Sequence, residues 1–410
     1  MTRAPGLTPL LAATGLAAVA GYLLIWLVPL QIGLEAYKDF ALFWAAMYFL
    51  IGAFSGLQHE VTRGTVRRAT VGRTQPSPAR NFGLAVSALV FVAVVATAPL
   101  WVDTVFPGVG WPLVWPLAIA AASYVIVATV AGTLYGVAGW MSLALMIAID
   151  AFLRLAAVGI VAVFTSNAVP LAWAAAIPFL LTIAVLWPRI RRDVVGRTTF
   201  DAEYRTLSWN VARTMVAAAS MGVLVSGFPV VLGVAAIEEP DAYVAALFLA
   251  IMVTRAPVIV VVMSLQGYLI VRFRDHRATL VRDLLGVLGI VLGGGIVLAL
   301  IAWVVGPTVF ALLYGGAISL DGWFYAVLVV SSALVGALAV TAPAVLSLAQ
   351  HVVYSAGWVV AAFVTMACFF LPFGLVANTV AALIAGPLAG LAVHSAYLIG
   401  RSRSVSPELP

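Results

Sequence analysis

Apolar residues in this chain gather into runs long enough to cross a bilayer, separated by short polar connections. A membrane-spanning helix needs about 20 residues. The runs lie at about 7–30, 40–57, 81–102, 112–135, 141–164, 169–187, 207–233, 242–271, 284–305, 322–347, 352–373 and 376–399. The pattern predicts an all-α polytopic membrane protein of about twelve transmembrane helices. The first run is too long for the apolar core of a signal peptide, and it ends in VPLQIG without a small-x-small cleavage site. It reads as a retained helix. No outward connection exceeds about 20 residues, so the function is expected inside the membrane.

The polar positions add orientation. Arg63, Arg67, Arg68, Arg73 and Arg80 follow the second run. Arg189, Arg191, Arg192, Arg197, Arg205 and Arg213 follow the sixth, Arg272, Arg274, Arg277 and Arg282 the eighth, and Arg401 and Arg403 the last. With Arg3, these put 18 of the 21 basic residues on one side. The opposite connections carry Glu35, Asp39, Asp103, Glu238, Glu239, Asp241 and Asp321, with Lys38 the one base. The positive-inside rule then predicts both termini in the cytoplasm, and only an even number of spans keeps the alternation.

Composition agrees with this class. Hydrophobic residues make up 64% and charged residues 9%, where soluble domains carry about 25% charged. The net charge of +6 is carried by the loops and speaks to orientation, not to nucleic acid. The lone cysteine, Cys368, rules out an internal disulfide, and Cys/His metal spacings are absent. No Gly-rich phosphate loop occurs, and Gly293–Gly294–Gly295 reads as close helix packing. No metal, cofactor, ATP-driven step or nucleic-acid partner is expected.

A repeat is visible at about half the chain length. Pro29 to Arg63 and Pro229 to Arg272 both leave a Pro-containing helix end and pass an acidic connection. Both then re-enter through A-Y and A-L-F and reach Leu-Gln before a basic loop. The offset of about 206 pairs six spans with six. Six is even, so the halves share an orientation. The expected domains are an N-terminal bundle at 1–195, a basic linker at 196–206 and a C-terminal bundle at 207–410.

Candidate chemistry is sparse. Arg255 has thirteen uncharged residues before it and sixteen after it. At about 1.5 Å per residue it lies roughly 25 Å from Arg272, too deep to snorkel. An intramembrane guanidinium costs about 3 kcal/mol, so it faces a polar cavity or clamps neighbouring helices. Pro257, two residues on, is expected to loosen the helix there. Asp150 and Arg154 stand at i,i+4 and can pair on one helix face. Gln58, His59 and Glu60 close the second run and Gln266 the eighth, all read as polar helix ends at the interface. His351 and His394 are also read as interfacial. Trp26, Trp44 and Tyr48 could stack on a sugar, with lipid or interface the simpler assignment.

The layout resembles the polysaccharide (O-antigen type) lipid-linked oligosaccharide flippases of the multidrug/oligosaccharidyl-lipid/polysaccharide exporter superfamily. The resemblance rests on the two like-oriented halves, GLQHEVTR (Gly56 to Arg63), and GTLYGVAGW (Gly132 to Trp140) leading into IDAFLRL. It also rests on TRAP (Thr254 to Pro257). It implies a V-shaped pair of six-helix bundles around a cavity that opens to each side in turn. It further implies a polyprenyl-(pyro)phosphate-linked sugar or oligosaccharide substrate, its phosphate held by Arg154 and Arg255; Asp150, Gln58 and Gln266 are the further substrate-binding candidates that the residues themselves offer. A bacterial plasma-membrane location and envelope glycosyltransferases or a polymerase as partners follow from the same resemblance. Two other readings remain: a drug or small-solute antiporter coupled through Asp150, and an integral-membrane glycosyltransferase using Glu35 and Asp39.

Overall fold

A computed structural model describes residues 7–67, 78–195, 198–200, 204–314, 316 and 320–404. The side chains of 7, 67, 198–200, 204, 256–268, 271, 274, 278 and 401–404 lie outside that description, and with them the expected role of Gln266. The order is α1 (Leu7–Ile32), α2 (Leu34–Gly64), β1 (Thr65–Arg67), α3 (Pro78–Thr97), α4 (Val102–Val105), α5 (Trp111–Gly136) and α6 (Trp140–Phe164). Then follow α7 (Ala168–Ala176), α8 (Pro178–Val194), β2 (Thr198–Phe200), α9 (Tyr204–Val225), α10 (Phe228–Ala235) and α11 (Asp241–Asp275). The chain closes with α12 (Leu280–Tyr314), α13 (Gly322–Ser347), α14 (His351–Ala367) and α15 (Leu375–Ser404).

Every predicted run is met by helix. Among the described residues, ten helices are long and apolar enough to span a bilayer, and α9 with α10 pass the same test together, bent by 63°. The 35-residue α11 occupies the position of the eighth run and stays helical through position 257. The expected acidic connection after α1 is a correction: α2 starts at Leu34, not 40, and the break is the single residue Gly33, with φ 80°. Glu35 and Asp39 therefore ride on the first turns of α2. Glu35 sits in the first turn, where a carboxylate complements the helix dipole.

The chain divides into two compact units, Met1–Ala219 and Ser220–Pro410. The division falls inside α9, not at 196–206. Its cause is local packing: Leu207 and Val211 of α9 join the core formed by Phe54, Leu57 and Val61 of α2 and Val125 and Ala128 of α5. A Cβ on Gly56 would lie 2.8 Å from the Met215 nitrogen, so α2 and α9 touch backbone to backbone. The GTLYGVAGW motif makes a similar joint, since a Cβ on Gly132 would meet the Gln58 carbonyl at 2.7 Å.

Within the first unit α2 and α5 are largely buried, while α1, α3 and α6 leave most of their apolar surface outward. In the second unit α13 is the buried spine and α12 the outward helix. Leu89, Val92, Phe164, Ile290 and Val304 are exposed, a surface stable only against lipid tails. Of the glycine triplet, only Gly295 makes the expected close approach, to Ala333 of α13. The sequence reading also missed a two-stranded antiparallel ladder, β1 with β2, in which Thr65 pairs Phe200, Val66 pairs Thr199 and Arg67 pairs Thr198. Three-residue strands inside basic loops carry no periodic signal.

Candidate functional site

The polar centre of the first unit is built on α6. Asp150 and Arg154 are one turn apart there, and the expected pair forms: the Arg154 Nη2 group donates to Asp150 Oδ1 at 2.8 Å and Oδ2 at 2.7 Å. The remaining contacts come from three other helices. Nη1 donates to the Ala175 carbonyl at the end of α7. It also lies 3.9 Å from the Met47 sulfur of α2. The guanidinium carbon stands 4.1 Å from the Phe179 ring centroid of α8, within cation–π range. Arg154 is 3% exposed and Asp150 26%. The base is thus spent on fastening four helices, and the acid is the member open to space.

That space is a cavity of about 190 Å³ lined by residues of α1, α2, α5, α6 and α8. Its aromatic wall is Trp44, Tyr48, Tyr124, Tyr135 and Phe179, and its polar groups include Gln58, Asp150 and Thr182. The Trp44 and Tyr48 rings meet at a 41° tilt with centroids 4.9 Å apart. Their assignment to lipid is corrected: Trp44 is buried, and both face this cavity. Spacing alone could have hinted at it, because Phe40, Trp44 and Tyr48 fall at successive i,i+4 positions on α2. The Thr182 hydroxyl is buried without a hydrogen-bond partner among the described residues.

Gln58 also lines this cavity, which places it deeper than the helix end expected. His59 is exposed. Glu60 is a correction: it is 7% exposed and accepts from Arg63 and from the Thr214 hydroxyl of α9, both at 3.1 Å. The joint at Gly56 and Met215 brings Thr214 within its reach.

In the second unit Arg255 is 3% exposed. Its Nε and Nη1 find no hydrogen-bond partner among the described residues, and its guanidinium carbon is 5.4 Å from the Phe228 ring centroid of α10. The interfacial assignment of His394 is overturned: it is fully buried on α15 and bonds to Thr341 of α13 and the Tyr354 carbonyl of α14. These partners lie 53 and 40 residues away, beyond any local pattern. Among the described residues, no group of three His, Cys, Asp or Glu could hold a metal ion.

Solved membrane proteins share this architecture. An inward-facing multidrug resistance MATE family transporter of the MOP superfamily superposes with a TM-score of 0.65 at 14% identity, covering 96% of each chain. The lipid II flippase MurJ, in an inward closed conformation, superposes with a TM-score of 0.66 at 11% identity, covering 94% of this chain and 87% of that one. The protein is therefore an all-α, multi-pass membrane protein of this fold. No family model matches the chain. It is 30% identical over 386 residues to uncharacterized protein Rv3630 of Mycobacterium tuberculosis, spanning 93% of this chain and 89% of that protein, and it belongs to the same family.

Proposed function

We propose that the protein is a flippase that moves a polyprenyl-(pyro)phosphate-linked sugar from the cytoplasmic to the outer leaflet by alternating access. The observation that carries this reading is the lining of the first-unit cavity. Flat aromatic faces suit the C–H faces of a sugar ring. Asp150, Gln58 and the unpartnered Thr182 hydroxyl supply hydrogen bonds to its hydroxyls. At about 190 Å³ the cavity has room for a small polar head group. The polyprenyl tail stays in lipid. Arg255 is the phosphate-binding candidate, because Arg154 is already committed to Asp150, Ala175 and Phe179. MurJ, of the same fold, carries the name of a lipid II flippase.

The bacterial plasma membrane, with both termini cytoplasmic, is the setting this reading requires, and the loop arginines support it. Envelope glycosyltransferases or a polymerase would supply and consume the substrate. A catalytic role fits less well, since Glu35 and Asp39 sit on the first turns of α2 and not on an open loop. The second reading, a drug or small-solute antiporter, draws on the Asp150 carboxylate facing the cavity and on the MATE fold.

Reconstitution separates the two. Proteoliposomes carrying a fluorescent polyprenyl pyrophosphate sugar should expose it on the opposite leaflet, and should not accumulate an organic cation such as ethidium. Ethidium accumulation with no movement of the sugar lipid would replace the flippase with the antiporter.

A further inference from the structure

His394 has a buried environment that can hold the ring with or without a second proton. Three helices build it. The Thr341 hydroxyl of α13 is 2.9 Å from Nδ1 and also 2.9 Å from the Leu338 carbonyl. The Tyr354 carbonyl of α14 is 3.3 Å from Nε2. The ring lies against Gly357, where a Cβ would come within 2.1 Å of Nε2, so any larger residue would displace it.

The hydrogen count defines two states. A hydroxyl has one hydrogen and two lone pairs, and a carbonyl only accepts. With a neutral ring, Nε2–H donates to the Tyr354 carbonyl and Nδ1 accepts the Thr341 hydrogen. With a protonated ring, Nε2–H keeps its partner and Nδ1–H donates to the Thr341 oxygen. The Thr341 hydrogen then turns to the Leu338 carbonyl. One hydroxyl rotation converts one set into the other, and no donor is orphaned in either.

The described carboxylates that pack toward this core from α11 and α12 are Asp275 and Asp283, and Asp283 is paired with Arg272. The sequences of α13, α14 and α15 contain no carboxylate. Their titratable groups are Tyr325 on α13, the exposed His351 with Tyr354 on α14, and Tyr397 on α15. Arg401 and Arg403 end α15, and Cys368 follows α14. Of these, only the two histidines have ordinary pKa values near neutrality, and only His394 is buried. A buried imidazolium without a counter-charge favours any conformation that wets it.

We propose that His394 is a proton-binding site of the second unit, and that its protonation drives α14 and α15 apart. The proton would be the coupling ion for the transport cycle, and only that last clause rests on the flippase reading. The proton site itself is testable without any substrate.

Cys368, the one cysteine in the chain and buried at the end of α14, is a native reporter. The full-length protein in detergent is labelled with a maleimide between pH 5.5 and 8. The wild-type rate is divided by that of His394→Gln at each pH, which cancels the thiol's own titration. The ratio should rise about fivefold or more toward acid, the low end of ordinary site coupling. A ratio flat with pH overturns the proposal. Thr341→Val covers the case where His394→Gln does not fold. It costs the protonated ring a charge-assisted bond and the neutral ring a weaker one. The midpoint should then move down by about half to one pH unit. An unmoved midpoint also overturns the proposal. Either failure leaves the movement of a sugar lipid untouched as a separate question.

Discussion

The two units handle buried charge in opposite ways. In the first, Arg154 meets Asp150 on its own helix and is braced by Ala175, Met47 and Phe179. In the second, Arg255 and His394 are equally buried, yet α13, α14 and α15 bring no carboxylate, and Arg255 has only the Phe228 ring among the described groups. A paired charge can be purely structural. An uncompensated one destabilises the fold it sits in, and it persists only where it does something else. The comparison marks the first unit's arginine as a clamp between helices and leaves the second unit's without a charge partner among the described groups.

The sharpest way to break that assignment is Arg154→Ala. It strands the Asp150 carboxylate and the Ala175 carbonyl, and should cost about 3–5 kcal/mol, read as loss of folded protein in a detergent melt. Adding Asp150→Ala should recover part of the loss. A double variant no more stable than the single one would mean the pair is not self-neutralising.

Arg255→Met is the mirror experiment. It removes the charge while roughly keeping length and packing, and should leave stability unchanged or raise it by up to ~4 kcal/mol. Movement of the sugar lipid should nevertheless fall more than tenfold. Full movement by this variant would leave Arg255 without a functional role.

A smaller effect is expected at the static joint of the first unit. Gly56→Ala drives a Cβ toward the Met215 nitrogen and Thr214 carbonyl carbon, at 2.8 and 2.9 Å. It should cost about 1–3 kcal/mol in the same melt. Glu60→Gln should do least. It keeps an acceptor for Thr214 and gives up only the pairing with Arg63, whose side chain is 72% exposed. The change should stay below about 1 kcal/mol.

What the sequence revealed tracks how local each determinant is. The spanning helices were legible because burying a backbone in lipid demands long apolar runs, and those show in any window. The Asp150–Arg154 pair was legible because four residues is one helical turn. The cavity was partly legible, through the Phe40–Trp44–Tyr48 stripe, but which way the stripe faced depended on α1, α5 and α6. The surroundings of His394 and the embrace of Glu60 by Thr214 were not legible. Each joins residues 40 or more positions apart through contacts that only the folded helices create. The division inside α9 was not legible for a related reason. Charge marks where a loop is, whereas backbone contact at Gly56 decides which bundle the start of α9 joins.

The small β1–β2 ladder has a consequence for how the protein is made. Its strands lie about 130 residues apart, and four helices, α5 to α8, are among the segments between them. At ~5–20 residues per second, a ribosome needs roughly 7–26 s to deliver Thr198–Phe200 after Thr65–Arg67 has emerged. Until then the end of α2 has no strand to pair with. The ladder cannot guide insertion of the early helices; it can only register that the sixth span has been completed.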